Sequence, residues 1–301
     1  MQKILITTSS FNLETAEVRA LKDAGYEVVL NPYKRRLSES EVSELLTPDV
    51  VGMIAGVEPL TRSIIEGATG LRAIARCGIG MDSVDVDAAK AAGILVSNTP
   101  DAPTRAVAEL ALGLMLDCLR SISVQDRAIR NNEWVRPMGG LLGERTVGLI
   151  GFGRIGKKVA EYASAFGANI IAYDPILQND DRLVSLDDLL LQADIVSLHI
   201  PYSKENRHII DEAAFSKMKQ GAVLINTARG GLVDEAALFK ALQDGDLSCA
   251  AMDVFEEEPY SGALAALDNI VLTAHVGSYA KEARAEQESL AAVNLLKGLL
   301  E

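Results

Sequence analysis

Cysteine is scarce in this chain of 301 residues, where Cys77, Cys118 and Cys249 are the only three. Three thiols cannot all pair within one chain, which excludes a disulfide framework and fits free thiols in a reducing cytoplasm. A basic surplus is also missing. Lys and Arg number 29 against 42 acidic residues, for a net charge of −13. Such a surface cannot neutralise a phosphate backbone, so nucleic acid is excluded as a partner. The one basic cluster, Lys34-Arg35-Arg36, is too short to be more than a solvated patch. Long apolar runs are absent as well. The most apolar stretch, residues 106–119, contains Glu109 and Asp117 and is too short to span a bilayer. Met1 leads straight into a strand pattern with no apolar signal core, so no membrane or export role is expected. No metal site is expected, and there is no short-period repeat.

What is present is alternation. Short β-rich runs and helical stretches follow one another from end to end, which argues for parallel sheets covered by helices in an α/β chain. The length suits two domains. The first third reads as one small open unit, with strands near residues 3–7, 27–30, 51–54, 71–75 and 94–97. Pro100 and Pro103 mark a junction. A single long helix is expected from about Arg105 to Asn131, apolar nearly all round in its first half, followed by an arm with the sole tryptophan, Trp134. Six more strands follow. The last helix, about residues 281–300, suits docking back on the first unit.

The most telling stretch is residues 147–174. It runs strand, Gly151-Phe152-Gly153-Arg154-Ile155-Gly156, helix, strand, Asp174. Gly151 permits a tight strand-to-helix turn, Gly153 lets backbone approach a pyrophosphate, and Gly156 lets the helix pack close to the strand. The phosphates would meet the N–H groups at the start of the helix, around Arg154 and Ile155. Asp174 stands where a carboxylate can accept hydrogen bonds from an adenosine ribose. Its charge would repel a 2′-phosphate, so the pattern favours NAD over NADP. Taken alone, Asp174-Pro175 is also a common turn pair.

Three later segments fall at strand ends, the edge where open parallel sheets bind ligands. They are residues 226–234, 252–259 and 273–278. Oxidising a 2-hydroxy acid by hydride transfer requires a cation for the carboxylate, a base titrating near neutrality, and a carboxylate to hold the imidazolium. Arg229, His275 and Glu258 supply one of each. His199 follows a strand and is expected to line the adenosine side of the cofactor, and His208 is read as structural.

These motifs together resemble the D-isomer-specific 2-hydroxyacid dehydrogenases. They are the glycine fingerprint with Asp174, residues 228–234, Asp253-Val254-Phe255, Glu258-Pro259 and His275-Val276-Gly277. Residues 76–85 resemble the family's substrate loop, and residues 93–100 and 107–109 its interdomain crossing. The resemblance spans essentially the whole chain. It implies a discontinuous, flavodoxin-like substrate domain (residues 1–98 and 280–301) and a Rossmann NAD-binding domain (residues 99–279), with the active site in the cleft. It implies Arg229 as substrate anchor, His275 as acid/base and Glu258 as its partner. Substrate binding falls to Arg229 and to the Cys77, Gly78, Ile79 and Gly80 loop. Cofactor contacts fall to the fingerprint and to Asp174, His199, Pro201, Thr227, Ala228, Asp253 and Gly277, with Asp253 at the nicotinamide carboxamide. A homodimer through the NAD domain is implied too, in keeping with the apolar helix and arm.

Within the family the chain looks most like the phosphoglycerate dehydrogenases, which points to 3-phosphoglycerate as substrate. An unphosphorylated acid such as glyoxylate or hydroxypyruvate is the alternative. A non-catalytic NAD-sensing protein and a purely structural scaffold are the rival classes. Arg136 matches a basic position of the phosphoglycerate enzymes, but Gly56 stands where they often carry an Arg, with Glu58 nearby. Ala102-Pro103 replaces the usual Asn-Ser of the crossing. With the sequence ending at Glu301, no serine feedback through a C-terminal regulatory domain is expected.

Overall fold

A computed structural model describes residues 1–301. The chain divides into two compact units, residues 1–103 with 279–301, and residues 104–278.

The first unit contains β1 (Lys3–Ile6), α1 (Ala16–Asp23), β2 (Glu27–Leu30), α2 (Glu39–Leu45), β3 (Val50–Ala55), α3 (Arg62–Gly67), β4 (Ala73–Arg76), α4 (Val86–Ala91) and β5 (Leu95–Asn98). Local chemistry sets several starts. Thr15 accepts from Val18 N to cap α1, and Ser38 with Glu41 forms a reciprocal capping box on α2. The strands are all parallel, in the order β2-β1-β3-β4-β5. Every residue of β3 and β4 is buried, because helices cover both sheet faces, and so these strands carry apolar runs rather than alternation.

The second unit contains α5 (Thr104–Arg120), α6 (Ile122–Arg130), β6 (Thr146–Ile150), α7 (Arg154–Ala165), β7 (Asn169–Tyr173), α8 (Leu186–Gln192), β8 (Ile195–Leu198), α9 (Glu212–Lys217), β9 (Ala222–Asn226), α10 (Glu235–Gln243), β10 (Leu247–Met252) and β11 (Ile270–Leu272). Its strands are parallel in the order β11-β10-β9-β8-β6-β7. The chain then returns as α11 (Lys281–Leu300), which packs on β3, β4 and β5 of the first unit and buries Ala291, Ala292, Leu295 and Leu299.

The helix expected over residues 105–131 is in fact two. Ser121 takes a left-handed conformation (φ 50°), and Asp117 accepts hydrogen bonds from the backbone and hydroxyl of Ser123, so the chain turns between α5 and α6. Apolar periodicity does not register a one-residue break of this kind. The apolar first half of α5 is buried within its own unit, against α7 and β9–β11.

In each sheet the chain reverses its direction of winding once, between β1 and β3 in the first and between β6 and β8 in the second. Such switch points open a crevice beyond the carboxyl ends of the strands. The glycine turn follows β6, and Gly56 follows β3.

Candidate active site

The turn after β6 is built as its glycines predict. Gly151 has φ +100°, and a β-carbon there would lie 2.5 Å from the His199 backbone. One on Gly156 would collide with the carbonyl oxygen of Gly151. Gly153 differs, since nothing lies within 4 Å of where its β-carbon would stand. Protein packing does not require a glycine there, whereas a pyrophosphate over the α7 N-terminus would fill that space. The first turn of α7 has no side-chain cap to satisfy its N–H groups. Arg154 is exposed and Ile155 half-buried.

Two further observations fit a bound dinucleotide. His199 Nδ1 and Thr227 Oγ1 are buried and lack protein partners, and they follow β8 and β9 at the same sheet edge. Buried polar atoms are rarely left so. Burial pushes the His199 imidazole down to about 3, and its Nε2 shares a 2.9 Å hydrogen bond with Ser197 Oγ. The ring is therefore neutral and fixed against the glycine turn. Pro201 is exposed and Ala228 half-buried along the same edge.

Asp174 serves the turn visibly. It accepts from Phe152 N at 2.8 Å, Ile176 N at 2.9 Å and Leu177 N at 3.0 Å. Partial burial opposes its ionisation, but these N–H groups outweigh burial and hold it below the usual carboxylate range. The turn reading and the ribose reading are thus compatible, since each carboxylate oxygen can accept more than one bond.

His275 and Glu258 meet. Nδ1 lies 2.8 Å from Oε2 and 3.1 Å from Oε1. Burial raises the Glu258 carboxyl, but the bond and charge of His275 more than offset this, and the carboxyl sits below its ordinary value. An ionised carboxylate only accepts, so Nδ1 carries the proton and Nε2 faces outward. His275 is held in a left-handed conformation (φ 53°) by Asp253 beneath it. That fully buried side chain accepts from Thr273 Oγ1 at 2.6 Å, Val276 N at 2.8 Å and Gly277 N at 2.9 Å. These bonds fix the His275 loop, beside the nicotinamide role that the family resemblance implies for Asp253.

Arg229 enters the same neighbourhood. Asn226 Nδ2 holds its carbonyl at 2.9 Å, and its charge reaches Glu258. A β-carbon on the next residue, Gly230, would collide with the Phe255 carbonyl. The Arg229 and Glu258 loops therefore touch backbone to backbone, a contact that sequence reading did not find. Small residues flanking a charged one were the available signal. Nearby, His208 Nε2 lies 2.5 Å from Glu256 Oε1, which gives the acidic run one structural member.

In the first unit, the Gly78 loop is held by Thr99 Oγ1, which accepts from Gly78 N at 2.9 Å, and by Asn98 Nδ2, which donates to Ile79 O at 2.7 Å. Ile79 and Gly80 are half-buried. The Cys77 thiol is different: it packs in the core and faces Arg284, and burial pushes it up. The Cys77 backbone is engaged as well, since Cys77 N donates to Ala55 O at 2.9 Å and Cys77 O accepts from Arg76. Glu58 is buried, not a charge on the surface. It accepts from Thr7 Oγ1, and from Gly56 N at 2.9 Å.

A model of the D-isomer specific 2-hydroxyacid dehydrogenase NAD-binding domain matches residues 112–277. The hydroxypyruvate reductase of Thermotoga maritima is 42% identical over 257 residues, covering 82% of this chain and 84% of that one. The D-3-phosphoglycerate dehydrogenase of Methanocaldococcus jannaschii is 38% identical over 310 residues, and the match covers 99% of this chain but 58% of the longer enzyme. A glyoxylate reductase structure from Paecilomyes thermophila superposes with a TM-score of 0.89 at 33% identity, covering 98% of this chain and 95% of that one.

The chain belongs to the D-isomer-specific 2-hydroxyacid dehydrogenase family. It is an NAD-binding oxidoreductase acting on the CH–OH group of 2-hydroxy acids. No helix is long and apolar enough to cross a membrane, and no cluster of side chains could hold a metal.

Proposed function

We propose that this chain interconverts a small, unphosphorylated 2-oxo acid, of the glyoxylate or hydroxypyruvate kind, with its D-2-hydroxy acid. Bound NADH supplies the reducing equivalent to the carbonyl carbon. Arg229 holds the substrate carboxylate through its planar fork. His275 Nε2 delivers the proton to the carbonyl oxygen, and Glu258 keeps the imidazolium oriented and charged beforehand. The complete Arg229, Glu258 and His275 set favours catalysis over an NAD-sensing or scaffold role.

The observation that carries the substrate reading is Gly56 against Glu58. A β-carbon on Gly56 would stand 2.7 Å from Glu58 Oε2, so the position of the guanidinium expected for a phosphate is taken by glycine with a buried carboxyl against it. A buried phosphate requires several donors, Arg forks above all. The 3-phosphoglycerate reading is favoured by the match to the Methanocaldococcus enzyme over 99% of this chain and by Arg136, exposed on the arm. The ratio of kcat/KM for phosphohydroxypyruvate over hydroxypyruvate decides between them. A ratio near or below one supports our reading. A large ratio that collapses in Arg136→Ala rejects it.

The protein is further proposed to work as a homodimer in the cytoplasm. The second unit exposes Ile122, Ile129, Trp134 (81%), Val135, Met138 (99%) and Leu141, an apolar surface unusual for a monomer. Three free thiols fit a reducing compartment. Light scattering that reports a monomer at micromolar concentration would reject the dimer.

A further inference from the structure

Two of the three cysteines meet at the sheet edge opposite the cofactor turn. Cys118 lies near the end of α5 and Cys249 near the start of β10. Both line one cavity of about 560 Å³. Other walls are Asp194 before β8, Ala222 at the start of β9 and Ile270 at the start of β11. These mark the amino-terminal ends of the strands. The glycine turn, Thr227, Asp253 and His275 all follow carboxyl ends, so the cavity is separate from the site described above.

Residues 118 and 249 are distant in sequence, and they come together at this cavity because α5 packs on β10. We propose that Cys118 and Cys249 form a redox-active pair, which a hydroperoxide entering this cavity closes to a disulfide. The pair is asymmetric. The neighbouring Cys118 favours the thiolate of Cys249 and holds it below the ordinary thiol range, while Cys249 and burial push Cys118 up. Cys249 is also the more exposed of the two. Cys249 is therefore the attacking sulfur and Cys118 the resolving one.

The chemistry balances in two steps. The Cys249 thiolate attacks the peroxide O–O bond, giving a sulfenic acid and one water. The Cys118 sulfur then displaces the hydroxyl from that sulfenic acid as a second water, forming the S–S bond. Two thiols are oxidised by two electrons and one peroxide is reduced. The product fastens α5 to β10 across the edge of the sheet. Cys77 has no place in this reaction, because it is buried in the first unit and faces Arg284.

The test is mass spectrometry of the full-length protein after exposure to equimolar hydrogen peroxide. The expected product is lighter by about 2 Da, the two hydrogens lost, and dithiothreitol reverses the change. Tryptic digestion should link the peptide ending at Arg120 to the one following Lys240. In Cys118→Ser, dimedone should label Cys249. In Cys249→Ser, neither a disulfide nor a dimedone adduct at Cys118 should form, and Cys77→Ser should behave as wild type. The proposal is overturned if wild type keeps three alkylatable thiols. It is equally overturned if its disulfide joins two chains or uses Cys77, or if Cys249 passes to the sulfinic acid while Cys118 stays free.

Discussion

Gly56 and Glu58 exclude each other's alternatives. The carboxyl of Glu58 occupies the space a side chain at position 56 would enter, with Oε2 only 2.7 Å from a β-carbon there. In sequence they read as two separate departures from the phosphoglycerate pattern. In the fold they are one feature, at the switch point of the first sheet. Gly56→Ala should therefore destabilise the protein by about 1–3 kcal/mol, as overpacking does. In a Glu58→Ala background most of that penalty should vanish. A double-mutant cycle by urea unfolding measures the coupling, and additive effects would refute the steric account.

His275→Ala should lower kcat by about 10²–10⁴-fold while NADH still binds, since only proton transfer is lost. Glu258→Gln should retain binding but move the alkaline limb of the kcat/KM profile for 2-oxo acid reduction to lower pH, because the imidazolium loses its counter-charge. Near-normal turnover in His275→Ala would show that the assignment is wrong.

Gly230→Ala tests the contact between the two catalytic loops. A methyl group driven into the Phe255 carbonyl must push the Arg229 loop away from Glu258. The expected result is a kcat/KM loss of roughly 10²-fold or more, as small misplacements of catalytic groups produce. NADH affinity, measured by fluorescence titration, should change far less. Wild-type kinetics would contradict the close approach of the two loops.

Asp174→Ala should narrow the preference for NADH over NADPH, since the charge that repels a 2′-phosphate is gone. It should also lower the melting temperature, because Phe152, Ile176 and Leu177 lose their acceptor. Both readouts are required. A change in stability with unchanged cofactor preference would reduce Asp174 to a turn residue.

His199 gives a stability prediction with a definite sign. Its pKa falls from 6.5 to about 3 on folding, so the unfolded chain binds the proton more readily. Its contribution is fully present above pH 6.5 and declines as pH falls through the window between those values. In His199→Asn the fall in melting temperature from pH 7 to pH 4 should be shallower than in wild type. Parallel curves would show that this imidazole is not the titrating group.

Much of this protein is local and therefore legible in sequence. Gly151 and Gly156 are demanded by a turn a few residues long, and strand and helix periods come from burial on repeating faces. The Arg229, Glu258 and His275 types follow from the chemistry each must do. What sequence could not supply are relations between residues distant along the chain. Ser121 breaks a helix whose apolar pattern runs on without interruption. Asp253 fixes the His275 loop through hydrogen bonds from the residues that follow β11. Glu58 lies buried against Thr7, some fifty positions away in the chain, instead of facing a substrate. Cys118 and Cys249 become neighbours only because α5 packs on β10. Composition and spacing decided which chemistry the chain can hold. Which groups stand within a bond length's reach of one another was decided by packing, since close packing leaves each buried polar atom a small choice of partners.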